Sequence, residues 1–139
     1  EAVSMGVLTA DQRIQDLETF QGTLAAAFDA AEKHGGLVTI GIQPSRPETG
    51  YGYIEAGEPT PQEGVFQVRR FVEKPDRPRA EQYVALGNYY WNSGMFVWKA
   101  ATILGHLRAN LPAAVEPLEA IGKAWKGRGR AKALAEWQP

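Results

Sequence analysis

The sequence predicts an α/β fold, because two apolar runs flank an amphipathic helix near the amino terminus. Residues 3–8 (VSMGVL) and 37–42 (LVTIGI) are short apolar runs typical of strands that are buried on both faces. Between them, apolar residues recur at helical spacing over about residues 17–33. A strand, a helix and a second strand form a βαβ unit, which favours a parallel sheet with a right-handed crossover.

Capping residues define the predicted helix more closely. Asp16 is placed to accept hydrogen bonds from the first free amides, and Glu18 puts an acid in the first turn. Lys33 places a cation in the last turn, and Gly35 readily adopts the left-handed conformation of a helix end. We therefore predict a helix that begins after Asp16 and ends before Gly35.

Loops and short strands are predicted for the middle of the chain. Residues 44–64 contain frequent glycine and proline, and within them only residues 53–55 have an extended character. Residues 65–73 (VFQVRRFVE) combine β-branched and aromatic residues with partial alternation, which predicts a half-exposed strand. Residues 44–64 are therefore interpreted as an excursion from the α/β core.

Shorter elements and a helical tail complete the chain. Pro78 is predicted to begin a short helix that Gly87 ends, and residues 96–98 to form a brief strand. The tail, residues 99–139, contains two predicted helices, the second of which begins at Pro117. A basic stretch in the tail is typical of a solvated linker between helices: Lys126, Arg128, Arg130 and Lys132.

Composition limits the class of protein. The 139 residues suffice for one domain with a hydrophobic core, and no apolar run is long enough to span a membrane. The absence of cysteine excludes a disulfide framework and a thiolate metal site. No secretory signal is recognisable, so we expect a cytoplasmic protein. The net charge of −1 gives no reason to expect nucleic acid or a membrane as partner, and a homo-oligomer is left open.

Asp11 is the first candidate for chemistry. It comes directly after the first apolar run, and ligands of open α/β sheets collect beyond the carboxyl ends of the strands. A carboxylate there suits Mg²⁺, which needs few protein ligands when phosphates supply the rest. A turn or helix-capping aspartate is the alternative.

A glycine-flanked aromatic residue is the second candidate. In residues 50–54 (GYGYI), Gly50 and Gly52 flank Tyr51 and allow the backbone to approach a ligand closely. A plain tight turn would show the same pattern.

The third candidate is the pair Glu73 and Lys74. The carboxylate can accept hydrogen bonds from sugar hydroxyls, and the ammonium can meet a phosphate. Neighbouring side chains of a regular strand point to opposite faces, so both can serve one site only at a bend. Pro75 supplies such an end, because proline cannot continue a strand ladder. The alternative is an exposed ion pair, although several further cations surround this segment: Arg69, Arg70, Arg77 and Arg79.

The fourth candidate is the segment of residues 92–98 (NSGMFVW). Asn92 and Ser93 offer donors and acceptors beside Gly94, an arrangement suited to a neutral polyol. The aromatic residues just before it, Tyr89, Tyr90 and Trp91, serve either as a sugar-stacking platform or as core, and core is favoured for most of them.

These motifs, in this order, resemble the mannose-1-phosphate guanylyltransferase family. The resemblance rests on LTAD (residues 8–11), RPETGYGYI (46–54), FVEKP (71–75) and GNYYWNSGMFVW (87–98). It implies a three-layer α/β/α nucleotide-diphospho-sugar transferase fold, Rossmann-like, and the joining of mannose 1-phosphate and GTP into GDP-mannose and pyrophosphate. Mg²⁺ would be the cofactor.

The resemblance also implies roles for individual residues. Asp11 would bind the metal, Lys74 would meet the sugar phosphate, and Gly52, Glu73 and Asn92 would contact the sugar. Their neighbours are expected to line the same site: Tyr51, Ser93 and Gly94. Catalysis of this kind depends mostly on positioning and charge neutralisation.

Two departures from the family pattern shape the interpretation. Gln12 stands where the family commonly has histidine, and the glycine-rich loop that cradles the nucleotide phosphates is absent from these residues. We therefore expect the sugar-phosphate-binding half of one nucleotidyltransferase domain, incomplete at both ends and inactive alone. A non-catalytic regulatory or sugar-phosphate-binding paralogue, and a transferase for glucose 1-phosphate, remain alternatives.

Overall fold

The computed structural model describes residues 3–136 and has the predicted α/β class. Its mixed architecture combines one five-stranded sheet with helices. The strands are β1 (Ser4–Val7), β2 (Val38–Ile42), β3 (Tyr53–Pro59), β4 (Phe66–Val72) and β5 (Tyr89–Lys99). The helices are α1 (Leu17–His34), α2 (Arg77–Leu86), α3 (Ala100–Asn110), α4 (Pro112–Ala124) and α5 (Arg130–Glu136).

Strand β5 organises the sheet, and every strand pairing is antiparallel. Phe96 of β5 pairs with Val7 of β1 and also with Thr39 of β2, so β5 lies between these two strands. The expected parallel neighbours are therefore wrong: β1 and β2 run in the same direction, but β5 separates them. Local periodicity predicts a strand without revealing which distant strand will pair with it.

The prediction that residues 3–8 are buried on both faces is also wrong. Met5 and Val7 are 43% and 41% exposed, and Leu8 is exposed as well. The physical reason is that α1 lies on the face of β1 where a Cβ atom on Gly6 would meet the Phe28 ring at 3.1 Å, whereas Met5 and Val7 point to the other face, which the described residues leave exposed. The run at residues 37–42 is only partly buried too, with Ile40 inside and Leu37 and Ile42 exposed.

Helix α1 confirms the predicted caps and builds the first part of the core. The Asp16 carboxylate accepts a hydrogen bond from the Thr19 amide at 3.0 Å, and this bond is the main reason that the pKa of Asp16 is lowered. Gly35 ends the helix with φ of 69°. The buried face of α1 joins one apolar cluster with the sheet: Ala27, Ala31, Ile40, Met95 and Val97.

Helix α2 supports the other end of β5. Gly87 ends it with φ of 76°, as predicted, and Asp76 caps it, a role that the sequence analysis did not assign. The Tyr83 ring stacks on the Tyr89 ring at 4.0 Å between centroids. A second buried cluster forms around this pair: Tyr53, Ala80, Tyr83, Tyr89 and Trp91. The preference for core over a stacking platform is thus confirmed for Tyr89 and Trp91.

Several predicted boundaries are wrong. Strand β5 is much longer than residues 96–98, and β3 continues to Pro59, because pairing partners extend them beyond what local propensity indicates. Helix α4 begins at Pro112 and contains Pro117, and α5 begins at Arg130 inside the predicted linker. Among residues 3–136, no helix combines the length and apolar character that a membrane crossing requires.

Candidate sugar-phosphate site

One row of the sheet brings three of the predicted residues together. Tyr53 of β3 pairs with Val72 of β4 and with Trp91 of β5, so the next row contains Gly52, Glu73 and Asn92. The Asn92 amide donates a hydrogen bond of 2.8 Å to the Gly52 carbonyl. Because neighbouring side chains alternate along a strand, this row faces away from the aromatic cluster that packs on α2.

The absence of a side chain at Gly52 is what allows the Glu73 carboxylate to approach. A Cβ atom at this position would lie 2.9 Å from Glu73 Oε2 and 3.2 Å from the Phe71 ring. Contacts this short require a neighbour to move. Gly52 therefore allows the carboxylate to lie close against the backbone of β3.

The chain bends at Lys74, as the sequence predicts. Lys74 has φ of 43°, and it is the only residue other than glycine with a positive φ in the described part of the chain. Its ammonium lies 3.6 Å from the Glu73 carboxylate, and both side chains are exposed. Backbone strain of this kind clusters at functional sites, where the surrounding structure imposes it. The bend allows adjacent residues to serve one surface.

The four neighbouring arginines each form an ion pair with an acid outside the row. Arg69 and Arg70 pair with Glu55 at 3.6 Å and 3.2 Å, and Arg70 also donates to the Tyr89 hydroxyl. This contact raises the pKa of Arg70, and burial raises the pKa of Tyr89. The other two arginines pair within α2 or with its cap: Arg77 with Glu81, and Arg79 with Asp76. Lys74 differs from these arginines because its own ion-pair partner, Glu73, belongs to the row.

A bulge in β5 fixes the side chain of Asn92. Three residues of β5, 93–95, lie opposite the single residue Ile40 of β2, and Gly94 has φ of 74°. Asn92 Oδ1 accepts hydrogen bonds from the Thr39 hydroxyl and from the Gly94 amide, each at 3.2 Å. This leaves the side-chain amide nitrogen to donate to a ligand.

Ser93 has an internal role in this bulge. Its buried hydroxyl donates to the Ile40 carbonyl at 2.7 Å and accepts from the Met95 amide at 3.1 Å. The Ser93 hydroxyl is therefore buried and not exposed to a sugar. Its predicted contact with substrate stays a prediction that this geometry does not support. Gly94 also belongs to the bulge, which requires its left-handed backbone conformation.

The loop that carries Asp11 packs against the same bulge. The Gln12 side chain donates to the Ser93 carbonyl at 2.5 Å, and a Cβ atom on Gly94 would lie 3.3 Å from Thr9 Cγ2. Within residues 3–136, no hydrogen bond or ion pair joins Asp11 to Glu73 or Lys74. The structure therefore brings the Asp11 loop next to the row without completing a contact between them.

Asp11 provides a single exposed carboxylate for a metal. The part of the chain that the structure describes contains no group of three or more His, Asp and Glu side chains able to hold an ion. One carboxylate fits Mg²⁺, which is commonly held by one or two carboxylates together with substrate phosphates and water. The donor set does not fit a cation that needs a complete protein cage.

The loop before Gly52 contains a residue that the sequence analysis missed. Glu48 Oε1 accepts hydrogen bonds from the amides of Thr49 and Gly50, at 3.0 Å and 3.1 Å. The Gly50 amide is the main reason that the pKa of Glu48 is lowered, with the Arg46 side chain second. The sequence offers one signal, since Glu48 lies two residues before Gly50, although Asp and Asn are the residues that commonly fix a turn in this way.

The Tyr51 ring packs against the ring of Trp91. Its ring meets the Trp91 ring edge to face at 5.3 Å, and the Arg46 guanidinium lies 5.4 Å from the same ring. Trp91 immediately precedes Asn92 in β5, so Tyr51 ties the glycine-containing turn to the strand that carries Asn92. A contact of Tyr51 with substrate stays a prediction.

A cleft of about 780 Å³ adjoins the row without including it. It lies between α1, β2 and the β3–β4 hairpin, with Ala26, Thr39 and Phe66 among its lining residues. None of Gly52, Glu73, Lys74 and Asn92 lines it, but Thr39 of its lining donates a hydrogen bond to Asn92. The candidate site is thus defined by converging polar groups beside this cleft.

Sequence comparison with known proteins identifies the family of this chain. The model of the nucleotidyl transferase family (NTP_transferase) matches residues 1–136. The chain is 50% identical over 124 residues to the xanthan biosynthesis protein XanB of Xanthomonas campestris pv. campestris, covering 89% of this chain and 25% of the relative. It is 47% identical over 122 residues to a mannose-1-phosphate guanylyltransferase of Klebsiella pneumoniae, covering 86% of this chain and 26% of that protein.

Solved structures agree with these relatives. A Thermus thermophilus protein described as a mannose-1-phosphate geranyltransferase superposes with a TM-score of 0.78 and 36% identity, over 95% of this chain and 38% of that one. A Helicobacter pylori protein described as a mannose-6-phosphate isomerase gives a TM-score of 0.72 and 34% identity, over 85% of this chain and 43% of that one. The chain spans about a quarter of the length of the curated relatives.

Proposed function

Because this chain belongs to the nucleotidyl transferase family, we propose that it carries the sugar-phosphate half of the active site of a longer mannose-1-phosphate guanylyltransferase. Homologues with that name match most of the chain at about 47% identity, which confirms the resemblance found in the motifs. The proposed reaction joins mannose 1-phosphate and GTP into GDP-mannose, with release of pyrophosphate.

The convergence of Gly52, Glu73 and Asn92, with Lys74 beside them, is the observation that carries the proposal. These residues lie far apart in sequence, and β3, β4 and β5 bring them to one row of the sheet. The row offers a carboxylate that accepts hydrogen bonds and an amide that donates them, with a glycine and no side chain between the two. A polyol with a phosphate matches this set, because the cation lies at one end.

Each residue has a distinct task in the proposed reaction. Glu73 and Asn92 hold sugar hydroxyls, and Gly52 lets the sugar approach the backbone. Lys74 binds the phosphate, whose oxygen attacks the α-phosphorus of GTP in line while the bond to pyrophosphate breaks. Holding the attacking oxygen in position and neutralising charge are the main sources of rate in such transfers.

Asp11 is the residue proposed to hold Mg²⁺. When bound, the ion supplies charge neutralisation to the phosphates. The tasks of this chain are to present the Asp11 carboxylate beside the sugar-phosphate row and to keep the loop in place through Gln12.

Turnover by the full-length protein tests the proposal. GTP and mannose 1-phosphate should give GDP-mannose and pyrophosphate, and glucose 1-phosphate should be the poorer substrate. Lys74→Ala should raise KM for mannose 1-phosphate about ten- to a hundred-fold, with KM for GTP little changed, because a charge-assisted contact to phosphate is lost. Binding of mannose 1-phosphate without turnover would instead indicate a non-catalytic paralogue.

A further inference from the structure

We infer that Glu48 is a positioning residue of the sugar-phosphate site, because it holds the turn that presents Gly52 to the substrate. Glu48 belongs to the loop between β2 and β3 and lies outside the row of Gly52, Glu73 and Asn92. The inference rests on the proposed function, and it adds a residue that acts on that site through its neighbours.

Glu48 is anchored through both its side chain and its main chain. Oε1 accepts hydrogen bonds from the Thr49 and Gly50 amides, and Oε2 pairs with Arg46 at 3.2 Å. Hydrogen bonds to a carboxylate are stronger than those between neutral groups. The Glu48 carbonyl accepts a hydrogen bond of 2.8 Å from the hydroxyl of Tyr53, a fully buried residue of the core. The turn is thus fixed relative to the core.

The contacts of Glu48 lead to the site through the turn and to the core through Arg46. The amides that Glu48 holds belong to residues just before Gly52, where an added Cβ atom would lie 2.9 Å from the Glu73 carboxylate. Its partner Arg46 lies 5.4 Å from the Trp91 ring, which packs on the face of the sheet opposite the Asn92 side chain. A small shift of the turn would therefore change the space between Glu73 and Asn92.

A purely structural role would have a different signature. If Glu48 only stabilised the loop, its loss would lower stability and affect both substrates alike. If it positions Gly52, its loss should raise KM for mannose 1-phosphate and leave KM for GTP nearly unchanged. The two variants Glu48→Gln and Glu48→Ala separate these roles, because glutamine keeps an acceptor oxygen for the two amides while alanine removes it.

Two measurements on the full-length protein test the inference. The first is KM for each substrate in the wild type, Glu48→Gln, Glu48→Ala and the control Glu58→Ala, which removes an exposed carboxylate further along β3. We expect KM for mannose 1-phosphate to rise about ten-fold in Glu48→Ala and about two- to three-fold in Glu48→Gln. The second is hydrogen exchange at the amides of Thr49 and Gly50, which should lose protection in Glu48→Ala.

The outcomes separate this inference from the proposed function. Lost protection with an unchanged KM for mannose 1-phosphate would show that Glu48 shapes the turn without serving the substrate, and would overturn the inference. Unchanged protection in Glu48→Ala would overturn it as well, because the turn would then hold without the carboxylate. A wild type that neither turns over nor binds mannose 1-phosphate would contradict the proposed function itself, whereas hydrogen exchange would still report on the turn.

Discussion

The two ends of β5 differ in how completely the chain surrounds them. At the amino-terminal end, Tyr89 and Trp91 are buried beneath α2 and pair with β3, and the row of Gly52, Glu73 and Asn92 lies on the other side of the same strands. At the carboxyl-terminal end, β1 and β2 are the neighbours and α1 packs on Val97, but the apolar side chains of β1 are exposed. The comparison teaches that the strands carrying Gly52 and Asn92 of the proposed site are anchored to a core, whereas the Asp11 loop that follows β1 depends on few contacts.

Removing the Glu73 carboxylate, near the amino-terminal end of β5, should have the largest effect. Glu73→Ala in the full-length enzyme should raise KM for mannose 1-phosphate about ten- to a hundred-fold, because hydrogen bonds to a charged group are lost. Thermal stability should hardly change, since an exposed ion pair such as Glu73–Lys74 contributes about 0–1 kcal/mol. Glu81→Ala is the control, and equal effects of the two variants on KM would show that Glu73 contacts no sugar.

Filling the space at Gly52 should have the next largest effect. Gly52→Ala places a methyl group 2.9 Å from the Glu73 carboxylate, which must then move. We expect about a ten-fold rise in KM for mannose 1-phosphate. Gly50→Ala is the matched control in the same turn, because its Cβ would meet Glu48 Oε1 at an ordinary 3.5 Å. Similar KM values for both variants would contradict the role given to Gly52.

Loosening the Asp11 loop should have a smaller and different effect. Gln12→Ala removes the hydrogen bond to the Ser93 carbonyl. The Mg²⁺ concentration for half-maximal rate should rise about two- to ten-fold, the usual worth of one such bond, while KM for mannose 1-phosphate stays near the wild-type value. Titration of the rate with Mg²⁺ checks this. A raised KM for mannose 1-phosphate with an unchanged Mg²⁺ requirement would show that the two ends of β5 do not act independently.

The smallest expected effect is a dependence of stability on pH that comes from the Glu48 carboxylate. The pKa of Glu48 is lowered in the folded protein, so its contribution to stability is present above the unfolded pKa and is lost as pH falls through the folded value. Chemical unfolding of the wild type and Glu48→Gln should therefore show a difference at neutral pH that shrinks in acid. A difference that stays constant would indicate that the carboxylate charge is not involved.

The same comparison explains what the sequence could predict. Local signals suffice for α1 and α2, because Asp16, Asp76, Gly35 and Gly87 act on their own segments. The end of β4 before Lys74 follows from the proline beside it, whereas the positive φ of Lys74 does not, because a residue before proline favours extended backbone. The order of strands is different, since no local pattern shows that β5 will lie between β1 and β2.

Part of the site was also beyond local reasoning. That Gly52, Glu73 and Asn92 share one row depends on the register of three strands, which the motifs indicate only through the family resemblance. The internal role of Ser93 depends on a bulge opposite Ile40, and nothing near Ser93 in the sequence announces it. Glu48 was within reach, because its contacts are to residues beside it.

The variant Lys74→Gly tests the central claim most directly, because Lys74 has a strained backbone and is the residue proposed to bind the phosphate of mannose 1-phosphate. Glycine adopts φ of 43° without the cost that lysine bears, so the free energy of unfolding should stay equal or rise by about 1 kcal/mol. At saturating GTP, KM for mannose 1-phosphate should nevertheless rise at least about ten-fold. An unchanged KM in a protein of equal or greater stability would contradict this assignment, because the strained lysine would then serve no ligand.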